Sequence, residues 1–119
     1  MTESILDLEA LTELQHVMND EFDTLLSTFL NDAVKRLAAI EAARSDTEAL
    51  RRAAHAFKGS SSNIGAVHLA ERCRALELYC RNESGPTPSD PDQVDTLIRG
   101  VESALAHSRR ELSQRFDIA

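Results

Sequence analysis

This sequence is poor in the residues that shape sheets and tight turns. It has no Trp, one Tyr and four Phe in 119 residues, so aromatics supply only 4%. Strand-rich domains draw on aromatic and β-branched side chains to cover a pleated surface. A core of Leu, Ala, Ile and Val with so few rings points instead to packed helices. Four Gly and three Pro are too few for the succession of turns an all-β fold requires. No apolar run nears the ~20 residues that span a bilayer. The segment Met1–Asp7 carries Glu3 and Asp7 and no base, so it lacks the positively charged start of a secretory signal. The expectation is a soluble, cytoplasmic protein. Cys73 and Cys80 fall within one expected helix, where their spacing separates them by about 10.5 Å along the axis. That exceeds the roughly 7 Å reach of a disulfide. They are expected as reduced thiols on an apolar face rather than as a bridge or a metal site.

What is present is mostly acidic, with one exception. The formal net charge is −7, which argues against nucleic acid as the main ligand. Between residues 51 and 74, however, five bases (Arg51, Arg52, Lys58, Arg72 and Arg74) stand against Glu71 alone. A basic island in an acidic chain suggests a segment that meets something negative.

The apolar residues recur at helical spacing. Leu8, Leu11 and Leu14 mark a short first helix from about Leu8 to Met18. Phe22, Leu25, Leu26, Phe29, Leu30, Ala33, Leu37 and Ile40 mark a long second helix from about Asp20 to Arg44. Ser45-Asp46-Thr47-Glu48 reads as a capping box, with Ser45 as N-cap and Glu48 reaching back. It opens a third helix with Leu50, Ala53, Ala54 and Phe57 on its apolar side, running to about Asn63 and stopped by Gly65. Ala66 to Arg81 forms the fourth, striped by Leu69, Cys73, Leu76 and Cys80. After a linker-like stretch, Ser84 to Pro91, the pair Asp90-Pro91 starts the last helix as N-cap and first-turn proline. It buries Val94, Leu97, Ile98, Val101, Leu105 and Leu112. The fold expected is all-α: an antiparallel four-helix bundle with a short N-terminal lid helix. It forms a single domain over 1–119 with a core of about 7–112, closed by one chain and thus able to stand as a monomer.

Among His16, His55, His68 and His107, one is distinguished by direction. At 100° per residue, Leu50, Ala53, Ala54, Phe57 and Ser61 share the core side of the third helix, while His55 lies about 140° from Leu50. Arg51, Arg52, Gly59 and Ser62 share its outer side, and Lys58 sits at the boundary. Neutral imidazole is a competent nucleophile near neutral pH. Lys58, one turn on, can set an ammonium beside incoming phosphoryl oxygens. Gly59 costs about 1 kcal/mol relative to alanine inside a helix, yet it clears the way for a close approach to the ring. Ser62 can offer a hydroxyl.

The run His55-Ala56-Phe57-Lys58-Gly59-Ser60-Ser61-Ser62-Asn63-Ile64-Gly65-Ala66 closely resembles the His-x-x-Lys-Gly-Ser core of bacterial histidine phosphotransfer (HPt) domains. Leu69, Cys73, Leu76 and Glu77 look like that family's following helix, and the likeness extends more loosely over residues 7 to 112. The resemblance implies a free-standing phosphocarrier of a multi-step two-component phosphorelay. His55 would be the phosphoacceptor, Lys58 would stabilise phosphate and Gly59 would give steric access. The donor would be a receiver-domain aspartate, typically of a hybrid sensor histidine kinase, and the acceptor a response-regulator aspartate. Arg51, Arg52, Lys58, Gly59 and Ser62 form the expected docking surface, complementary to an acidic receiver pocket.

The sequence holds no P-loop, no kinase-like nucleotide signature and no acidic cluster beside His55 for Mg²⁺. A carrier without kinase activity or cofactor of its own is therefore expected, with Mg²⁺ on the partner receiver. Neither nucleic acid nor membrane is an expected partner. The main alternative is a helical adaptor that docks receivers without transfer. The phosphoacceptor region of a sensor kinase would need an adjoining ATP-binding domain. A metal-binding bundle would need inward Glu or His on several helices, which the apolar stripes do not supply.

Overall fold

The computed structural model describes residues 5–116, which form five helices: α1 (Leu8–Met18), α2 (Glu21–Ala42), α3 (Thr47–Ile64), α4 (Val67–Arg81) and α5 (Pro91–Phe116). The extreme ends of the 1–119 span, including Glu3 of the leader reading, lie outside the described residues. Helices α2 to α5 make the expected antiparallel bundle, with α3 and α4 the most extensively packed pair. Each gives up one face. From α2 come Phe22, Leu26, Phe29, Leu30, Ala33 and Ile40; from α3, Leu50, Ala54, Phe57 and Ile64; from α4, Leu69, Cys73, Leu76 and Cys80; from α5, Val94, Ile98, Val101, Ala104, Leu105 and Leu112. Most are fully buried. A side chain of the Leu, Ile or Phe class contributes about 1.5–3 kcal/mol on full burial, so these stripes carry the fold.

Helix α1 covers one end. Asp7 caps it, its Oδ1 accepting from the Ala10 amide at 3.0 Å. Leu6 and Leu11 are buried beneath it. The Asp7 amide donates to the Gly65 carbonyl at 2.8 Å, so the lid is tied to the α3–α4 corner. That corner turns as expected: Gly65 takes φ +82°, and its amide and that of Ala66 donate to the Ser62 and Ser61 carbonyls. A left-handed C′ residue is where glycine avoids the Cβ penalty.

Two local expectations are corrected. The N-cap of α3 is Asp46, not Ser45: Asp46 adopts extended backbone and its Oδ1 accepts from the Ala49 amide at 3.1 Å. Glu48 does not reach back, because Arg51 and Arg52 hold its carboxylate. The Ser84–Pro91 stretch is not a free linker either. Thr47 donates its amide to the Pro86 carbonyl at 2.9 Å. Ser89 donates its amide and hydroxyl to Glu83, and the Tyr79 hydroxyl both accepts from the Asp90 amide and donates to the Asp90 carbonyl. The start of α5 follows the expected form, with Asp90 Oδ1 accepting from the Gln93 amide at 3.1 Å and Pro91 in the first turn.

Both cysteines are free and buried. Burial pushes the Cys73 thiol up to about 12 and that of Cys80, helped by the nearby Glu83 carboxylate, up to about 11. Such thiols stay protonated and serve as small apolar side chains.

Candidate functional site

The site lies on the seam between α3 and α4. Phe57 and Ala54 fix the rotation of α3 by pointing into the core, which turns His55 outward with 58% of its side chain exposed. Opposite it, α4 offers a residue of the reverse character. Glu77 occupies a position on the apolar stripe of its own helix, between Cys73 and Cys80, with only 3% of its side chain exposed.

A carboxylate sunk this far must be paired, and three donors converge on it. His55 Nδ1 is 2.7 Å from Oε2, Lys58 Nζ donates to Oε1 at 2.7 Å, and the Arg81 guanidinium donates to Oε2 at 3.1 Å. Burial alone would raise the Glu77 pKa. The hydrogen bonds from Lys58 and His55, the Lys58 charge and the Arg81 bond outweigh it and bring the value down to about 2. Glu77 is therefore an anion at neutral pH. An ionised carboxylate only accepts hydrogen bonds, so Nδ1 must carry the proton in that contact. The lone pair of the neutral ring then resides on Nε2, at the other edge of the imidazole.

Other site residues expected from sequence fall as follows. Lys58 is beside His55, but Glu77 rather than open solvent holds its ammonium. Gly59 is exposed on the same face, and a Cβ built there would meet nothing within 4 Å. Ser62 is exposed farther along that face. Arg51 and Arg52 are engaged by Glu48, at 2.7 Å and 3.2 Å. The Arg51 hydrogen bond chiefly, with Arg52, draws the Glu48 pKa down to about 2. The basic island is thus partly neutralised from within α3.

Glu77 and Arg81 were not among the sequence-derived site residues. A signal for Glu77 existed: it is an acid four residues after Cys73 on a face that is otherwise apolar. The pairing with His55 depends on how α4 sits along α3, which periodicity within one helix does not encode.

The Hpt domain family matches residues 24–112 of the chain, which includes His55, Lys58, Gly59 and Glu77. The chain belongs to the Hpt family. A similar solved structure is the histidine-containing phosphotransfer protein B (HptB) of Pseudomonas aeruginosa PAO1, at 38% sequence identity over 95% of each chain with a TM-score of 0.81. No curated protein sequence matched. Hpt proteins are histidine phosphotransfer components of phosphorelays and act as phosphocarriers, and the outward histidine of this chain sits on the bundle that defines them. No helix among the described residues is long and apolar enough to cross a membrane.

Proposed function

We propose that this Hpt protein accepts a phosphoryl group on Nε2 of His55 from a receiver-domain aspartate, of the kind carried by hybrid sensor kinases. It then passes the group to the aspartate of a response regulator. The whole chain acts as one carrier domain without kinase activity of its own. The observation that carries the reading is the polarised imidazole. Its Nδ1 is held by an ionised, buried Glu77 at 2.7 Å, which leaves the nucleophilic nitrogen on an exposed edge.

The division of labour follows from the side chains present. His55 supplies the lone pair, already oriented, so little ordering is needed when a partner arrives. Lys58 is poised one turn on to share its ammonium between Glu77 and the phosphoryl oxygens. Gly59 leaves room for the partner's aspartate loop. Arg51, Arg52 and Ser62 lie farther along the face for docking. The receiver supplies Mg²⁺, which neutralises charge on the transferring group.

Incubation with a phosphorylated receiver should move label onto this chain in an acid-labile, base-stable form. His55→Gln should abolish it. Persistent labelling of that variant would refute the assignment, whereas binding of a receiver with no transfer to the wild type would favour the adaptor reading.

A further inference from the structure

The three-donor carboxylate has a consequence for the phosphorylated state, and it rests on His55 being the phosphoacceptor. We propose that Glu77 is a positioning residue that keeps the phosphorylated imidazole of His55 protonated at Nδ1, so that the phosphoryl group enters and leaves without any proton transfer.

The electron balance is simple. In the forward step the Nε2 lone pair forms the N–P bond. The acyl phosphate O–P bond breaks, and its electron pair stays on the donor carboxylate. The ring, still bearing its Nδ1 proton, becomes an imidazolium. In the onward step an acceptor carboxylate forms a new O–P bond, the N–P pair returns to Nε2, and the ring is again neutral with its proton on Nδ1. If the phosphorylated ring instead lost that proton, its leaving group would be an imidazolate, and a proton would have to be restored before efficient transfer.

Two observations oppose that loss. The first is geometric. A deprotonated Nδ1 would direct a lone pair at Glu77 Oε2 from 2.7 Å, acceptor against acceptor, and burial leaves the carboxylate little freedom to turn away. The second is the local charge. Lys58 faces Glu77 from α3, with Arg51 farther off, and Arg81 faces it from α4. The carboxylate balances one of the two nearest cations. A phosphoryl group bringing about two negative charges would leave the cluster with a surplus negative charge, which the ring proton offsets. An amide at this position would not impose the same state, since it can turn either its oxygen or its NH₂ toward Nδ1.

The test needs no receiver. The full-length wild type, Glu77→Gln and Lys58→Met are each phosphorylated with phosphoramidate. The protonation of the labelled ring is read from its ¹⁵N resonances between about pH 6 and about pH 9, bracketing the usual histidine range, alongside the rate of label loss. Thermal melts establish that the variants are folded. In the wild type Nδ1 should remain protonated and label loss should stay flat across the range. In Glu77→Gln the proton should be lost as pH rises, and label loss should slow by up to roughly tenfold per pH unit beyond that point. Lys58→Met keeps the carboxylate and should keep the flat profile. Matching wild-type and Glu77→Gln profiles would overturn this inference alone, as would a Lys58→Met profile like that of Glu77→Gln. Failure of His55 to take label would overturn the phosphoacceptor reading and this inference with it.

Discussion

At the scale of single residues, Gly59 and Glu77 give the site its character from opposite directions. Nothing within the protein requires a glycine at 59, because an added Cβ meets open space, and α3 is a helix on both sides of it. The cost of about 1 kcal/mol relative to alanine is what the proposed approach of a partner would explain. Gly59→Ala should raise stability by about that amount in denaturant unfolding while slowing transfer from a phosphorylated receiver. A variant with unchanged transfer would detach Gly59 from function. Reasoning on one helix marks Glu77 as an acid on an apolar face and goes no further. The outward direction of His55 was legible because the residues that set it, from Leu50 to Ser61, belong to the same helix. The partner of its Nδ1 lies 22 positions away, and only the fit of α3 against α4 brings the two together.

At the scale of elements, helix existence was plain in the sequence and helix starts were less so. Apolar spacing marked all five helices, and Gly65 and Asp90-Pro91 marked the end of α3 and the start of α5, because a left-handed residue favours glycine and a proline inside a helix is confined to its first turn. Ser45-Asp46-Thr47 is different: three successive side chains can each cap a helix, and local pattern does not choose among them. The choice of Asp46 is coupled to a contact from outside, the Thr47 amide donating to the Pro86 carbonyl. It also depends on Glu48 having two arginines nearer than the cap. Asp46→Ala should therefore cost about 1 kcal/mol, whereas Ser45→Ala should stay within about 0.5 kcal/mol. Urea unfolding of the two variants decides between the caps, and a larger loss for Ser45→Ala would reinstate the other one.

At the scale of the molecule, the acid side of the stability profile should bear the mark of the same carboxylates. Glu77 and Glu48 are each drawn from 4.5 down to about 2 in the folded chain. Each takes up a proton more readily when unfolded, so its contribution is full above about pH 4.5 and drains away as pH falls toward 2. Glu48 is exposed and screened, which leaves Glu77 as the larger source. Thermal unfolding followed from pH 6 to pH 2.5 should show a fall in this window, and Glu77→Gln should be less pH-dependent there than the wild type. Equal slopes would assign the acid transition to other groups.

One feature of the plan separates chemistry from mounting. His55, Lys58, Gly59, Glu77 and Arg81 all belong to the hairpin of α3 and α4, turned at Gly65 and spanning Thr47 to Arg81. Helices α1, α2 and α5 hold that hairpin and add no side chain to the carboxylate cluster described above. Changes confined to those three helices can remodel the support while His55 and its carboxylate partner stay in register. The bundle is in this sense a tool with a separate grip: sequence change on one set of helices need not retune the residues held on the other.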